Sequence, residues 1–247
     1  MIVRPLEAMG TVFNFFVDAV DAVDASEESL QHAIDEGAKT IAEVEARFST
    51  WIQDSELSRF RRGEIQEPSD DFDEVMLLSY RALEVTGGYF DPWTLDGGYD
   101  PTGLVKGWAI GKALETLASC GVESGGINGG GDVALLPGWK QEVGVQHPRN
   151  REAICAVLEV ESAVATSGIY ERGVHITNPL GDEIAAVSGT VVGEELWLCD
   201  AFATALVAGG EEVLFLIERY PNYEGFFINQ NDALIKTSGL ILLDSST

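Results

Sequence analysis

The strongest constraint on the fold is a change of hydrophobic period partway along the chain. From Ser26, residues Leu30, Ile34, Ala38, Ile41, Val44 and Phe48 recur at three- and four-residue steps. That spacing predicts one apolar face of a helix reaching about residue 48, with Ser26 where an N-cap belongs. Ser69 or Asp70 opens a second helix carrying Phe72, Val75, Met76, Ala82 and Leu83, stopped by Gly87-Gly88. A third runs from about Lys106 to Ser119, with Trp108, Ala109, Ala113, Leu114 and Leu117 inward and Gly121 as its stop. Residues 11–17 (TVFNFFV) have strand propensity, and 51–60 (WIQDSELSRF) read as a polar turn. Beyond residue 132 the pattern becomes that of short strands at 133–136, 142–146, 153–161, 185–192, 225–229 and 233–237. A helical stretch at about 200–220, split by Gly209-Gly210, interrupts them. Helices first and strands later predict an α+β fold, a mixed and largely antiparallel sheet with packed helices. No repeat or linker divides residues 1–247, so a single domain is expected.

Charge narrows the partners. Lys and Arg total 15 against 41 Asp and Glu, giving 15 − 41 = −26, while 45% hydrophobic residues keep the chain in the globular range. No net positive field exists to draw in nucleic acid or an anionic membrane. Any phosphate ligand must be held by local donors or a metal. Cys120, Cys155 and Cys199 are odd in number and far apart. They read as small buried residues in a reducing compartment. No apolar run approaches the ~18–20 residues of a membrane span, and MIVRPLEAMGTVF lacks the pattern of a secretory leader. The expectation is a cytoplasmic protein.

Four patches could carry chemistry. Asp200 and Thr204 are four apart, so on a helix a carboxylate and a hydroxyl share one side, oxygen ligands suited to Mg²⁺ or Ca²⁺. The competing reading makes Asp200 an N-cap. Asp100, Gly103, Lys106 and Gly107 lie where a loop rich in Gly and Pro (88–107) enters the third helix. Backbone N–H groups and a lysine there suit a phosphate, and an ordinary loop with a surface lysine is the alternative. Gly129-Gly130-Gly131-Asp132 permits a tight turn or a close approach to a ligand. Ser167-Gly168, His175 and Asn178-Pro179 form another polar group. His32 falls on the exposed side of the first helix, and His147 reads as a turn residue. GxSxG, HExxH, paired CxxC and EF-hand patterns do not occur.

Taken in order, the patches resemble the ApbE family, the FAD:protein FMN transferases. The likeness rests on Met9-Gly10-Thr11, on Phe48-Ser49-Thr50-Trp51 through Asp54-Ser55-Glu56-Leu57-Ser58-Arg59-Phe60, and on Gly88-Tyr89-Phe90-Asp91-Pro92. It continues through Asp100-Pro101-Thr102-Gly103-Leu104-Val105-Lys106-Gly107 and Asn128 to Asp132. Ala165-Thr166-Ser167-Gly168 with Tyr170 and Arg172, His175 to Pro179, and Asp200 to Leu206 complete it.

The resemblance implies binding of FAD with Mg²⁺ near its pyrophosphate. FMN would be transferred to a Thr or Ser hydroxyl of a target flavoprotein, with release of AMP. An FAD pyrophosphatase and a non-catalytic flavin carrier are the alternatives. By the same resemblance Asp200, Thr204 and the Gly103 carbonyl would ligate the metal. Met9, Trp51, Tyr89, Phe90, Asp91, Asp100, Lys106 and His175 would line the FAD site, with His175 as proton acceptor. Departures from the family pattern are the short segment between Phe90 and Asp100, the short link from Arg172 to His175, and Asn178 where an aspartate is common.

Overall fold

A computed structural model describes residues 2–18, 26–93, 98–169, 176–181 and 183–243. The chain forms two compact units, Met1–Ser79 with Pro92–Trp139, and Tyr80–Asp91 with Lys140–Thr247.

In the first unit, β1 (Ile2–Ala8), β2 (Thr11–Val17), β3 (Gly125–Gly129) and β4 (Asp132–Leu135) pair antiparallel in that order. The β1–β2 hairpin closes through Met9 (φ 51°) and Gly10 (φ 72°), the pair of left-handed residues that a two-residue turn needs to match strand twist. Phe13, Phe15 and Val17 alternate inward along β2 and are fully buried. Helix α1 (Glu27–Phe48) begins at Ser26, whose hydroxyl accepts the Ser29 N–H at 3.1 Å. The stretch expected to be a turn contains a short helix, α2 (Glu56–Arg61), capped by the Ser55 hydroxyl. Only Leu57 on it is buried, too little for a period to show. Helix α3 (Asp70–Val85) carries Phe72, which stacks on Phe48 with centroids 5.5 Å apart and meets Phe60 at 4.9 Å and Tyr99 edge-on at 5.8 Å.

Helix α4 (Thr102–Ser119) starts a full turn before the position expected from sequence. The Asp100 carboxylate accepts the Thr102 N–H at 3.0 Å and Pro101 occupies the cap, so the helix starts where a donor is satisfied, not where the apolar face begins. On its inner side Trp108 donates its indole N–H to Glu74 at 2.9 Å, and Lys112 lies 3.1 Å from the same carboxylate. Burial pushes Glu74 upward, but these two donors outweigh it and hold the carboxyl below its ordinary value. A lowered folded pKa adds stability above the unfolded value of 4.5 and loses it as pH falls through the folded value. Glu74→Gln is therefore expected to lower the urea midpoint modestly at neutral pH and to match the wild type near pH 3. An equal deficit at both would refute it.

The second unit holds β7 (Ala163–Gly168), β8 (Ala186–Gly193), β9 (Glu224–Asn229) and β10 (Leu234–Lys236), again antiparallel in sequence order. A separate hairpin joins β5 (Gln141–His147) to β6 (Asn150–Val160). Helix α5 (Leu196–Gly209) packs on β7 and β8, and α6 (Glu211–Glu218) follows the break at Gly210. Because Leu196, Trp197 and Leu198 are apolar and buried, α5 starts ahead of Asp200. Asp200 is thus inside the helix, and its N-cap reading is corrected. Of the cysteines, Cys199 is buried as expected, but Cys120 is exposed because it falls at the C-cap of α4. His147 ends β5 as part of the strand.

Candidate functional site

Two groups of candidate residues assemble in the first unit. Asp132 opens β4 at 1% side-chain exposure and forms an ion pair with Lys106, itself 20% exposed one turn inside α4. Lys106 is therefore a paired ammonium in the helix body, where the sequence suggested a point charge at the helix start. Beside the start of α4, the Asp100 carboxylate lies 3.0 Å from Arg61, whose Nε also donates to the Tyr99 carbonyl at 2.7 Å. The Asp100 N–H reaches the Pro92 carbonyl at 2.7 Å. Arg61 and Pro92 together hold the backbone that leads into Gly103, the second residue of α4. Met9 donates its N–H to Glu45 of α1 at 2.7 Å, tying the β1–β2 turn to that helix. Trp51 stands 93% exposed on a turn in which the Ser49 hydroxyl accepts its N–H at 3.2 Å.

The second unit holds the others. Asp200 is 5% exposed in the second turn of α5, a carboxylate among Ala201, Phe202 and Ala203. Carboxylates are seldom buried to this degree unless they are paired or bind a cation. Thr204, one turn on, has its hydroxyl 3.0 Å from that of Ser167 on β7. A carboxylate and hydroxyls are hard oxygen donors. Among the described residues no group of three His, Cys, Asp or Glu side chains could hold a metal. A magnesium ion suits this donor set, since it uses one or two carboxylates and fills its remaining positions with water and substrate phosphate. Phe90 is buried, its N–H donated to Thr86 at 3.2 Å, while the Tyr89 hydroxyl donates to Glu212, which raises its pKa above the ordinary phenol value. Asp91 is half-buried. Asn178 organises a turn, accepting the Leu180 N–H at 3.0 Å and donating to the Glu183 carbonyl at 2.9 Å. His175, Tyr170 and Arg172 lie outside the described residues.

Arg61, Glu45 and Glu212 carry no signal in the sequence, because their partners are remote in the chain. Asp132 was visible only as the residue closing a glycine run.

The ApbE family model matches residues 9–96 and 98–227. The chain belongs to the ApbE family. An FAD:protein FMN transferase of Vibrio cholerae serotype O1 is 25% identical over 272 residues, covering 83% of this chain and 80% of that protein. The ApbE protein of Thermotoga maritima has the same fold, with TM-score 0.78 at 20% identity over 96% of this chain and 97% of that one. Flavin transferase ApbE from Vibrio cholerae gives 0.77 at 22% identity over the same shares. As in the resemblance drawn from motifs, the ApbE match takes in both units and every candidate residue. No helix among the described residues of this ApbE chain is long and apolar enough to cross a membrane.

Proposed function

We propose that this ApbE chain is an FAD:protein FMN transferase, moving FMN from FAD to a Thr or Ser hydroxyl of a target flavoprotein and releasing AMP. The family match across both units carries the reading, and the name of the Vibrio cholerae relative supports it. Met9, Trp51, Tyr89, Phe90, Asp91, Asp100, Lys106 and His175 are the proposed FAD contacts. Asp200 and Thr204 are the proposed side-chain ligands of Mg²⁺, and that ion, when bound, neutralises charge on the pyrophosphate oxygens. In a chain of charge −26, local cationic groups such as Lys106 are needed to offset the repulsion of FAD.

The reaction balances as a displacement at phosphorus. The acceptor oxygen bonds to the FMN-side phosphorus, the bond from that phosphorus to the bridging oxygen breaks, and the bridging oxygen leaves on AMP. His175 takes the hydroxyl proton. Three free cysteines support a reducing location, which we take as the cytoplasm.

The test is incubation of the purified chain with FAD, Mg²⁺ and a Thr-bearing acceptor, reading acceptor mass and AMP together. A gain of one FMN per acceptor with stoichiometric AMP is the expected result. AMP without the mass gain would make water the acceptor and the protein a pyrophosphatase. FAD bound with neither product would make it a carrier.

A further inference from the structure

We propose that Asp132 is a positioning residue for FAD, its carboxylate holding the Lys106 ammonium where the FAD pyrophosphate is bound. The inference rests on the flavin reading above and extends it to a residue in the buried half of an ion pair.

The first support is the burial of the pair. Asp132 is 1% exposed and its partner Lys106 20% exposed. Exchanging a buried ion pair for apolar side chains of similar volume is commonly neutral or stabilising, because both charges must be stripped of water. A buried pair is therefore weak evidence of a stabilising role, and a use for the ammonium accounts for it better. Lysine has a long, freely rotating stem, and an ammonium tethered before the ligand arrives gives up less freedom on binding. The Lys106 side chain stays one-fifth open to solvent.

The second support is how the surrounding glycines are used. Their sequence invites the reading that the backbone passes close to a cofactor, but geometry inside the protein already accounts for all three. Gly130 (φ 66°) and Gly131 (φ 101°) form the left-handed turn between β3 and β4, and the Asn128 side chain accepts the Gly131 N–H at 2.9 Å. A Cβ on Gly129 would stand 2.8 Å from the Ile110 methyl and from the Phe13 ring. Ile110 lies one turn beyond Lys106 on the same face of α4. The missing side chain at Gly129 thus lets α4 settle onto the turn, bringing Lys106 down to Asp132, which the register places directly opposite Gly129. The turn, the helix height and the carboxylate converge on one ammonium.

The experiment is a double-mutant cycle on FAD affinity, measured with the full chain by calorimetry without added metal. Asp132→Asn and Lys106→Met are each expected to weaken FAD binding about tenfold, and the double variant to be no weaker than Lys106→Met alone. A purely structural role for Asp132 would instead add its loss on top of Lys106→Met. That result, or wild-type affinity in Asp132→Asn, overturns the proposal. Asp132→Glu keeps the charge but displaces it. It is expected to bind FAD between the wild type and Asp132→Asn, so it reads the proposal even if Asp132→Asn fails to fold. Unchanged affinity in Asp132→Glu would also overturn it. A wild-type chain that binds FAD but transfers nothing refutes only the transferase reading and leaves the cycle readable. A wild-type chain that binds no FAD overturns both.

Discussion

Asp200→Asn is expected to lower FMN transfer by about 100-fold or more while leaving the fold intact. The side chain lies inside α5 at 5% exposure, and the next residues along the helix, Ala201, Phe202 and Ala203, are buried too. Asparagine has the same size and keeps one acceptor oxygen, but it cannot neutralise a divalent cation. Two measurements separate this from general damage. Mg²⁺ added to the FAD-saturated protein is expected to raise the melting temperature of the wild type further and not that of the variant, since only a ligand that binds the folded state shifts it. The variant alone is expected to keep the circular dichroism spectrum of the wild type. Transfer within threefold of wild type would remove Asp200 from the proposed metal site.

Phe72→Ala is expected to cost about 3–5 kcal/mol. Its ring is fully buried and in contact with Phe48, Phe60 and Tyr99, so the cavity left behind has aromatic walls on three sides. The damage is expected to extend to chemistry. Tyr99 leans edge-on against Phe72, its carbonyl accepts from Arg61, and Arg61 holds Asp100. FAD affinity should therefore fall along with stability. Leu77→Ala on the same helix is the control, because Leu77 is 69% exposed and its loss should stay within about 0.5 kcal/mol. Urea unfolding of the two variants side by side decides it, and a Phe72→Ala loss below about 1 kcal/mol would contradict the packing argument.

Elements with a strong local period were legible from sequence. Helices α1 and α3 and strand β2 each bury one side, so their apolar residues recur at the matching step. Three strands were not. β1 (IVRPLEA) carries a proline and is an edge strand paired only with β2 in its unit. β3 (GGING) has almost no side chains to read. A Cβ on Gly126 would fall 2.5 Å from the Ala134 carbonyl and 2.7 Å from the Phe16 ring. Such a strand exists because β2 and β4 pair with it on both sides. β7 (AVATSG) is short and mixed, and is ordered by β8 and α5.

The same division holds for the candidate site. By itself the sequence determined the α+β class, the acidic surface that denies the chain a bulk attraction for phosphates, and the ordered motifs that mark it as ApbE. These depend on local period, composition and residue order, all of which survive without coordinates. Only the tertiary structure decided that Lys106 pairs with Asp132, that Arg61 holds Asp100, and that Asp200 is a buried helix-interior carboxylate. The two pairings join segments distant in the chain, and strand register with helix seating chooses such partners. Neither leaves a trace in the spacing of residues along one segment. The start of α5 was hidden for a related reason: its first turn is apolar on every side, so no change of period announces it.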